Sequence, residues 1–396
     1  MLGLYIGIIL LLNIPYVQHR MSVLVAKGLS TVLGSELTVG RINIGLLNRI
    51  IIDDLVLNDQ SGKELLKIGR LSAKFEILPL FSGKISIGNV QLFSFNANLE
   101  RPTPQASTNF QFVLDAFASK DTVKKKSNLD LRINSLLIRR GKVSYDVLSA
   151  ESTPGKFNPQ HIRLSNILAN ISLKALQNDS VNAAIKRMSV EEEHSGFELK
   201  KLSLKIIAND RKMRIENFAI DLPNTSLAMD TIRMEYDSLE SLGHFTDDVR
   251  FSFRMLPSEV ALQDISAFVP AFKPFKEKLK LEMEAAGTVN RLNCPKLLIS
   301  SNDHFLLKGN VSLQDLSHPQ DAYIFGNLSN LYADPDGIAF FVRNLSKDYK
   351  GVPPVLQNLG TVSFRGEISG YFTDLVTYRE VRTDIGTIKT DVKLSS

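Results

Sequence analysis

The amino-acid sequence predicts a mainly β chain that builds one long sheet rather than a compact enzyme core. Two observations carry this. A short apolar pattern, Ile-x-x-φ-x-φ with φ a large apolar residue, recurs as Ile52-Leu55-Leu57, Ile87-Val90-Leu92, Ile133-Leu136-Ile138 and Ile215-Phe218-Ile220. From Leu37 onward the hydropathy alternates mainly with period two. It is cleanest where Leu279, Leu281, Met283 and Ala285 interleave with Lys280, Glu282 and Glu284. Residues at φ-x-φ spacing share one face of a strand. The leading Ile breaks that parity, so a bulge or bend is expected between it and the pair. Three copies extend, to Ala97 and Leu99, Val143 and Tyr145, and Thr225 and Leu227. The four residues between, such as Arg139-Arg140-Gly141-Lys142, suit a turn. The unit reads as bend, strand, turn, strand, and Ile85 to Leu99 reads as a hairpin.

Residues 1–18 carry no formal charge, and Leu2 to Leu12 is almost continuously apolar. As a helix this stretch spans about 27 Å, against a hydrocarbon core of about 30 Å. It predicts a transmembrane anchor with Leu4, Ile6, Ile8, Ile9, Leu10, Leu11 and Leu12 facing lipid. A signal peptide would need a basic start and a small-x-small cleavage site, and neither is present; a buried helix is the third reading. Over residues 19–34 the pattern turns amphipathic. Val17, Met21, Leu24, Val25, Gly28, Leu29, Val32 and Leu33 form one apolar face, and Gly34 is a C-terminal stop. Such a helix either covers the open edge of a sheet or lies on a membrane surface.

Residues 35–150 form a first β region, 151–255 a second and 256–396 a third. Asn58 to Lys63, Leu78 to Gly83, Arg101 to Thr108 and Ser149 to Gln160 are breaks. Asn109 to Ser119 predicts a short helix with Phe110, Val113, Leu114 and Phe117 on one face and Asn109 as its N-cap. Leu256 to Pro274 predicts a second helical insert, capped by Asp264, carrying Ile265, Phe268 and Val269, and ended by Pro270. Gly287 to Leu313 and Gly366 to Leu394 repeat each other loosely. Alternation is unfinished at Ser396, which predicts that the sheet continues in a longer protein.

The 396 residues are 44% hydrophobic and 22% charged, a foldable balance. The net charge of +5 is spread along the chain rather than gathered in the stripe a nucleic-acid binder needs. Lys124-Lys125-Lys126 reads as a solvated loop, with anionic headgroups as the alternative partner. A single cysteine, Cys294, allows no disulfide framework and no thiolate cluster. Six histidines show no HExxH pairing. Glu191-Glu192-Glu193-His194 reads as a solvated loop, and Asp334-Pro335-Asp336-Gly337 as a tight turn rather than a calcium loop. No P-loop, GxGxxG or GxSxG is present. No catalytic, cofactor-binding or metal residue is assigned, and the chain is not read as an enzyme.

Several segments are similar to a known family. They are Asn13-Ile14-Pro15-Tyr16-Val17-Gln18 after the anchor, Leu37 through Leu55, Leu78 through Ile85, Asn109 through Asp115, Gly366 through Gly370 and Thr383 through Lys389. The chain resembles the amino-terminal part of the TamB/AsmA-like family of Gram-negative envelope proteins, of the Bacteroidetes type. The resemblance implies an inner-membrane anchor of one helix and an elongated, twisted antiparallel sheet that extends into the periplasm as a half-open apolar groove. It implies phospholipid transport between inner and outer membranes, or alternatively assembly of outer-membrane proteins with a BamA-like partner. The family's carboxy-terminal domain has no counterpart here. A sheet with one continuous apolar face must cover it or use it, and phospholipid acyl chains are a suitable guest. Leu279, Leu281, Met283, Ala285, Leu136, Ile138, Phe218 and Ile220 are the candidate lining, although the same alternation suits an ordinary sandwich core.

Overall fold

Strands of this protein change parity part-way along, and the apolar residues change with them. The computed structural model describes residues 7, 11–45, 49–75, 85–117, 129–130, 134–177, 180–275, 277–301, 303–318, 321–345, 351–371, 374–389 and 392–395. The fold is mainly β, as expected. The chain forms two compact units, residues 1–175 with 183–200, and residues 176–182 with 201–396.

In the first unit β1 (Leu37–Gly45), β2 (Arg49–Asn58), β3 (Glu64–Phe75) and β4 (Ile85–Arg101) pair antiparallel in chain order. A crossover then returns the chain so that β4 pairs in parallel with β6 (Ser135–Val147). Parallel neighbours require a long connection of this kind. The two-residue β5 (Leu129–Asp130) runs parallel to the start of β4. β6 pairs antiparallel with β7 (His161–Gln177), and β8 (Ser180–Glu192) follows. β9 (Phe197–Ala208) leads into the second unit, where it pairs with β10 (Lys212–Asp221). Next come β11 (Ser226–Glu235), β12 (Arg250–Ala261), β13 (Lys278–Thr288), β14 (Arg291–Ser301), β15 (Phe305–Gln314), β16 (Tyr323–Ala333), β17 (Val362–Tyr371) and β18 (Asp374–Thr383). Each of these pairs antiparallel with the one before. β19 (Gly386–Lys389) and β20 (Val392–Ser395) both pair with β18. No pairing among the described residues closes either ladder on itself.

The parity breaks have a backbone cause. Asp54, Ser94, Arg140, Asn166 and Asn217 all adopt left-handed φ values of 52–56° inside strands. Asp54 separates Ile52 from Leu55, and Asn217 separates Ile215 from Phe218, as the motif requires. In the Ile87 copy the register slips between the pairs Lys74↔Asn89 and Phe75↔Ile87. Ile133 lies outside the described residues. In the first unit the kinks stand side by side. Asp54 faces Gly40, whose own Cβ, if it had one, would lie 3.0 Å from that of Asp54; at Gly69 the distance to Ser94 Cβ would be 3.3 Å. A Cβ at either glycine would crowd the left-handed residue opposite and force a local shift of the paired strands.

This geometry corrects the turn reading. Ile85–Arg101 and Ser135–Val147 are single strands, not hairpins. Arg140 supplies a kink, and Gly141 is glycine because the Phe95 ring occupies the space of its Cβ. Of the three copies that extend, only the fourth turns, through Leu222 N–H to Thr225 O at 2.9 Å.

Helix α1 (Pro15–Leu33) begins on Pro15 and ends on Gly34, which is left-handed at φ 65°. It lies along β1. Leu33, with Ala26 and Leu29, packs on Leu37, Leu57 and Leu65, and Leu65 is only 1% exposed. At the other end Asn13 Nδ2 donates to Ile44 O at 2.8 Å and Gln18 Nε2 to Asn43 Oδ1 at 2.6 Å. Helix α2 (Gln111–Phe117) joins the same core through Phe112, Val113 and Ala116, beside Phe110. Leu114 instead faces outward, and Asn109 does not cap the helix. Its side chain receives the Glu100 N–H at 3.0 Å and donates to Asn98 O at 3.0 Å, which ties the loop to β4.

The insert after β12 is also shorter than expected. Leu256 to Ala261 is strand, with two 3₁₀ turns at Leu262–Ile265 and Pro270–Phe272, so that Pro270 opens a turn rather than closing a helix. Asp264 holds Asn224 through bonds of 2.8 and 3.0 Å. Asp334 starts helix α3 (Pro335–Leu345) rather than a tight turn. No helix among the described residues is long and apolar enough to cross a membrane. Leu4, Ile6, Ile8, Ile9 and Leu10 of the expected anchor lie outside those residues; Leu11 and Leu12 are helical.

The left-handed conformation costs a residue with a Cβ about 1–2 kcal/mol, and most for a β-branched one. Arg140→Gly is therefore expected to leave stability nearly unchanged, because strain relief is offset by the wider freedom of unfolded glycine. Arg140→Val is expected to destabilise the protein relative to Arg140, because a β-branched side chain fits the left-handed region worse than arginine does. Urea denaturation of both variants, followed by circular dichroism, checks the pair.

Candidate apolar binding face

Residues directly opposite in a ladder share a face, so register assembles the single-strand patterns into rows. In the first unit one row runs Ile44, Ile50, Ala73, Val90, Leu136, Ile171 across six strands. The next runs Ile42, Ile52, Leu71, Leu92, Ile138, Ala169. Beyond the kinks the face continues through Val39, Leu55, Ile68 and Phe95, then through Leu37, Leu57, Leu66, Ala97, Val143 and Leu164. No row carries a charged residue. Helices α1 and α2 cover the Leu37 end; Leu136 and Ile138 sit half-buried in the rows farther along.

The second unit has its own rows. Phe218, Met229, Met255, Met283 and Leu297 face one another in turn over five strands. Leu281 begins another, with Ile299, Leu307, Leu331, Phe364 and Val381. Leu279 stands opposite Val260, Ala285 opposite Phe253, and Ile220 between Leu202 and Leu227. Six of the eight candidate lining residues thus share this unit's ladder, and Leu136 and Ile138 share the first. All are half-buried except Ala285, which is 3% exposed because larger neighbours overtop its methyl. The period-two reading missed Met229, Met255 and Leu297. Register slips at Met229, between Met255 and Ser258, and between Cys294 and Leu297 put them in the row. In sequence the only hint is Pro257 and Pro295, residues that occur in strands mainly at bulges and edges.

The opposite face is charged and paired across strands. Lys296 meets Glu282 at 2.5 Å, Lys205 meets Glu216 at 2.8 Å and Arg254 meets Glu284 at 3.8 Å. Exposed pairs of this kind add at most about 1 kcal/mol each. Their main effect is to keep that face in water.

Polar clusters elsewhere have structural work. The Glu191–His194 loop is not simply solvated. Glu192 is 3% exposed, and its carboxylate accepts from Ser195 N (2.7 Å) and Oγ (2.5 Å), Arg163 N (3.1 Å) and His194 N (3.3 Å). It replaces the missing ladder partners at the end of β8. Beside it Asp146 receives Arg163 Nη1 at 2.5 Å and binds His161 Nδ1 at 2.9 Å, while His161 Nε2 meets Ala150 O at 3.0 Å. His304 Nδ1 lies 2.7 Å from Asp334 Oδ2 and 3.9 Å from Asp336 Oδ2, close enough for three cation ligands. Asp334 Oδ1 already accepts Gly337 N–H at 2.8 Å as the cap of α3.

No family model, curated protein or solved structure matches the chain.

The Asp146–His161 pair sets a pH response. The Asp146 hydrogen bond raises the His161 pKa most, with the Ala150 carbonyl helping against burial. Burial raises the Asp146 pKa, but Arg163 and His161 outweigh it, so the net shift is downward. The His161 contribution is complete below the free imidazole value of about 6.5 and is lost as pH rises through its higher folded value. The Asp146 contribution is present above about 3.9 and is lost as pH falls through its lower folded value. Hydrogen exchange at the Val147 amide, bonded to Gln160 O at 2.8 Å, should lose protection as pH rises from about 6.5, beyond the intrinsic trend. His161→Gln should flatten that loss.

Proposed function

We propose that the two apolar faces carry phospholipid acyl chains. In this reading the protein is a TamB/AsmA-like envelope component, anchored in the inner membrane by residues 1–18. It lies in the periplasm as a half-open groove, supports lipid movement to the outer membrane and performs no catalysis. The observation that carries the reading is the continuity of the rows: six strands in one unit and six in the other present apolar side chains at one level without a charge. Those side chains are mostly half-buried, so they keep apolar surface that a guest can cover. An acyl chain laid along them gains up to about 0.8 kcal/mol for each methylene removed from water. Transport requires that this gain be similar from one row to the next, which a repeated row of Ile, Leu and Met supplies.

Photocrosslinking in cells tests this. A benzophenone amino acid at Ile138, Leu281 or Met283 should yield phospholipid adducts, and one at the outward Lys280 or Glu282 should not. Equal labelling of both sets, or none at the first, overturns the reading. Adducts to an outer-membrane β-protein in place of lipid would favour the assembly alternative. Met283→Glu should abolish lipid delivery while leaving the circular-dichroism spectrum unchanged, because a charge in one row interrupts a path that has no detour.

A further inference from the structure

Helix α1 has two apolar faces, and the sheet uses only one. At about 100° per residue most of its side chains fall into three sectors, and Val23, 52% exposed, lies outside the apolar stripe among Tyr16, His19 and Ser30. The first packs on the sheet core and contains Gln18, Ser22, Ala26, Leu29 and Leu33; Ser22 is 1% and Gln18 8% exposed. The second holds Val17, Met21, Leu24, Val25, Gly28 and Val32. Leu24 is 70%, Val32 59% and Val25 36% exposed. The third holds Arg20, Lys27 and Thr31, all exposed. The helix thus buries two polar side chains and turns its most apolar stripe outward. Packing on β1 explains the first sector and leaves the second without a partner among the described residues.

We infer that α1 lies on an anionic bilayer surface, its Leu24–Val25–Val32 stripe in the acyl boundary and its other apolar edge on the sheet. The charge pattern selects this occupant. No acidic residue occurs before Glu36, while Arg20 and Lys27 stand along the stripe's border, where anionic headgroups would lie. Arg20 also stacks 5.5 Å over the Tyr16 ring and donates to its hydroxyl at 3.1 Å, an arrangement suited to the headgroup level. The apolar run ending at Leu12, placed in the membrane by the reading above, would bring a bilayer within a few residues of the helix. The inference shares the membrane half of the reading above and is independent of acyl transport.

Single-cysteine variants of the full chain on a Cys294→Ala background test it, with spin labels at Ile6, Leu24, Ala26, Lys27 and Val32. Each is reconstituted in phosphatidylcholine vesicles containing a minority of phosphatidylglycerol. Labels at Leu24 and Val32 should become accessible to oxygen and protected from an aqueous nickel chelate. The label at Lys27 should remain open to the chelate, and that at Ala26 closed to both reagents. Loss of the phosphatidylglycerol should weaken the protection at Leu24 and Val32. If Ile6 enters lipid while Leu24 and Val32 stay open to the chelate, the helix does not lie on the bilayer, and the inference fails although the anchor stands. If Ile6 also stays in water, both the anchor and the inference fail. Protection of Leu24 and Val32 without vesicles, rising with protein concentration, would assign the stripe to a second copy and overturn the bilayer assignment.

Discussion

A strand cannot keep its apolar residues on one face across an odd step unless its backbone breaks there. That constraint shapes both units. In the first, Asp54, Ser94, Arg140 and Asn166 all take the left-handed conformation. Asp54 and Ser94 do so where Gly40 and Gly69 stand opposite. A kink in one strand alone would throw its residues out of step with the next. Kinks at matching height let Ile42, Ile52, Leu71, Leu92 and Ile138 lie on one side of the break and Leu37, Leu57, Leu66, Ala97 and Val143 on the other, as one surface. In the second unit the same end is reached by register slips, so the breaks need not align residue by residue.

The breaks also show what was legible in the sequence. The odd spacing in Ile52-Leu55-Leu57 and Ile215-Phe218-Ile220 shows that the backbone must break, because parity is a property of single strands. It does not show whether the chain then turns back. Turns and left-handed kinks favour the same residue types, so Arg139-Arg140-Gly141-Lys142 fits either until its neighbours are known. Gly141 answers to Phe95, 46 residues away in sequence and adjacent only through the parallel pairing. The lining was partly legible for the same reason. Leu281 and Met283 sit in perfect alternation, whereas Met229 and Met255 join their row only after register slips, which Pro257 alone hints at beside Met255. Glu192 looked like one acid among three; its burial depends on Arg163 and Ser195 closing over it.

The helix α1 obeys two demands. Its C-terminal half must supply Leu29 and Leu33 to the core around Leu65, and its N-terminal half must satisfy β1, where Asn13 and Gln18 reach Ile44 and Asn43. Those polar contacts explain why Gln18 faces inward although Val17 and Met21 are more apolar. An edge strand presents unpaired polar groups as well as apolar side chains: Asn13, just before the helix, meets the Ile44 carbonyl, and Gln18 meets the Asn43 side chain. The rotation that brings Gln18 to β1 carries Leu24 and Val32 away from the sheet. The outward stripe is thus a consequence of how the edge is closed.

Continuity of the apolar rows does not require a large residue at every position. Gly309, Gly326 and Gly366 interrupt the rows of the second unit, yet the surface there is filled from the sides. A Cβ at Gly326 would stand 3.2 Å from Ile368 and 3.4 Å from Val311, whereas at Gly309 and Gly366 a backbone carbonyl of the next strand comes closest, that of Asn327 and that of Tyr378, with Leu328 Cδ2 at 3.1 Å and Phe364 Cζ at 2.9 Å. At each glycine the backbone or a side chain of a neighbour takes the space a Cβ would need, as close packing demands. The apolar face is therefore a property of adjacent strands acting together. A volume-conserving apolar exchange in one strand can be absorbed by the next, whereas a charge cannot, because no lateral movement of a neighbour supplies the water or the counter-ion it needs. A face built in this way tolerates change in the identity of its residues and is sensitive to change in their polarity.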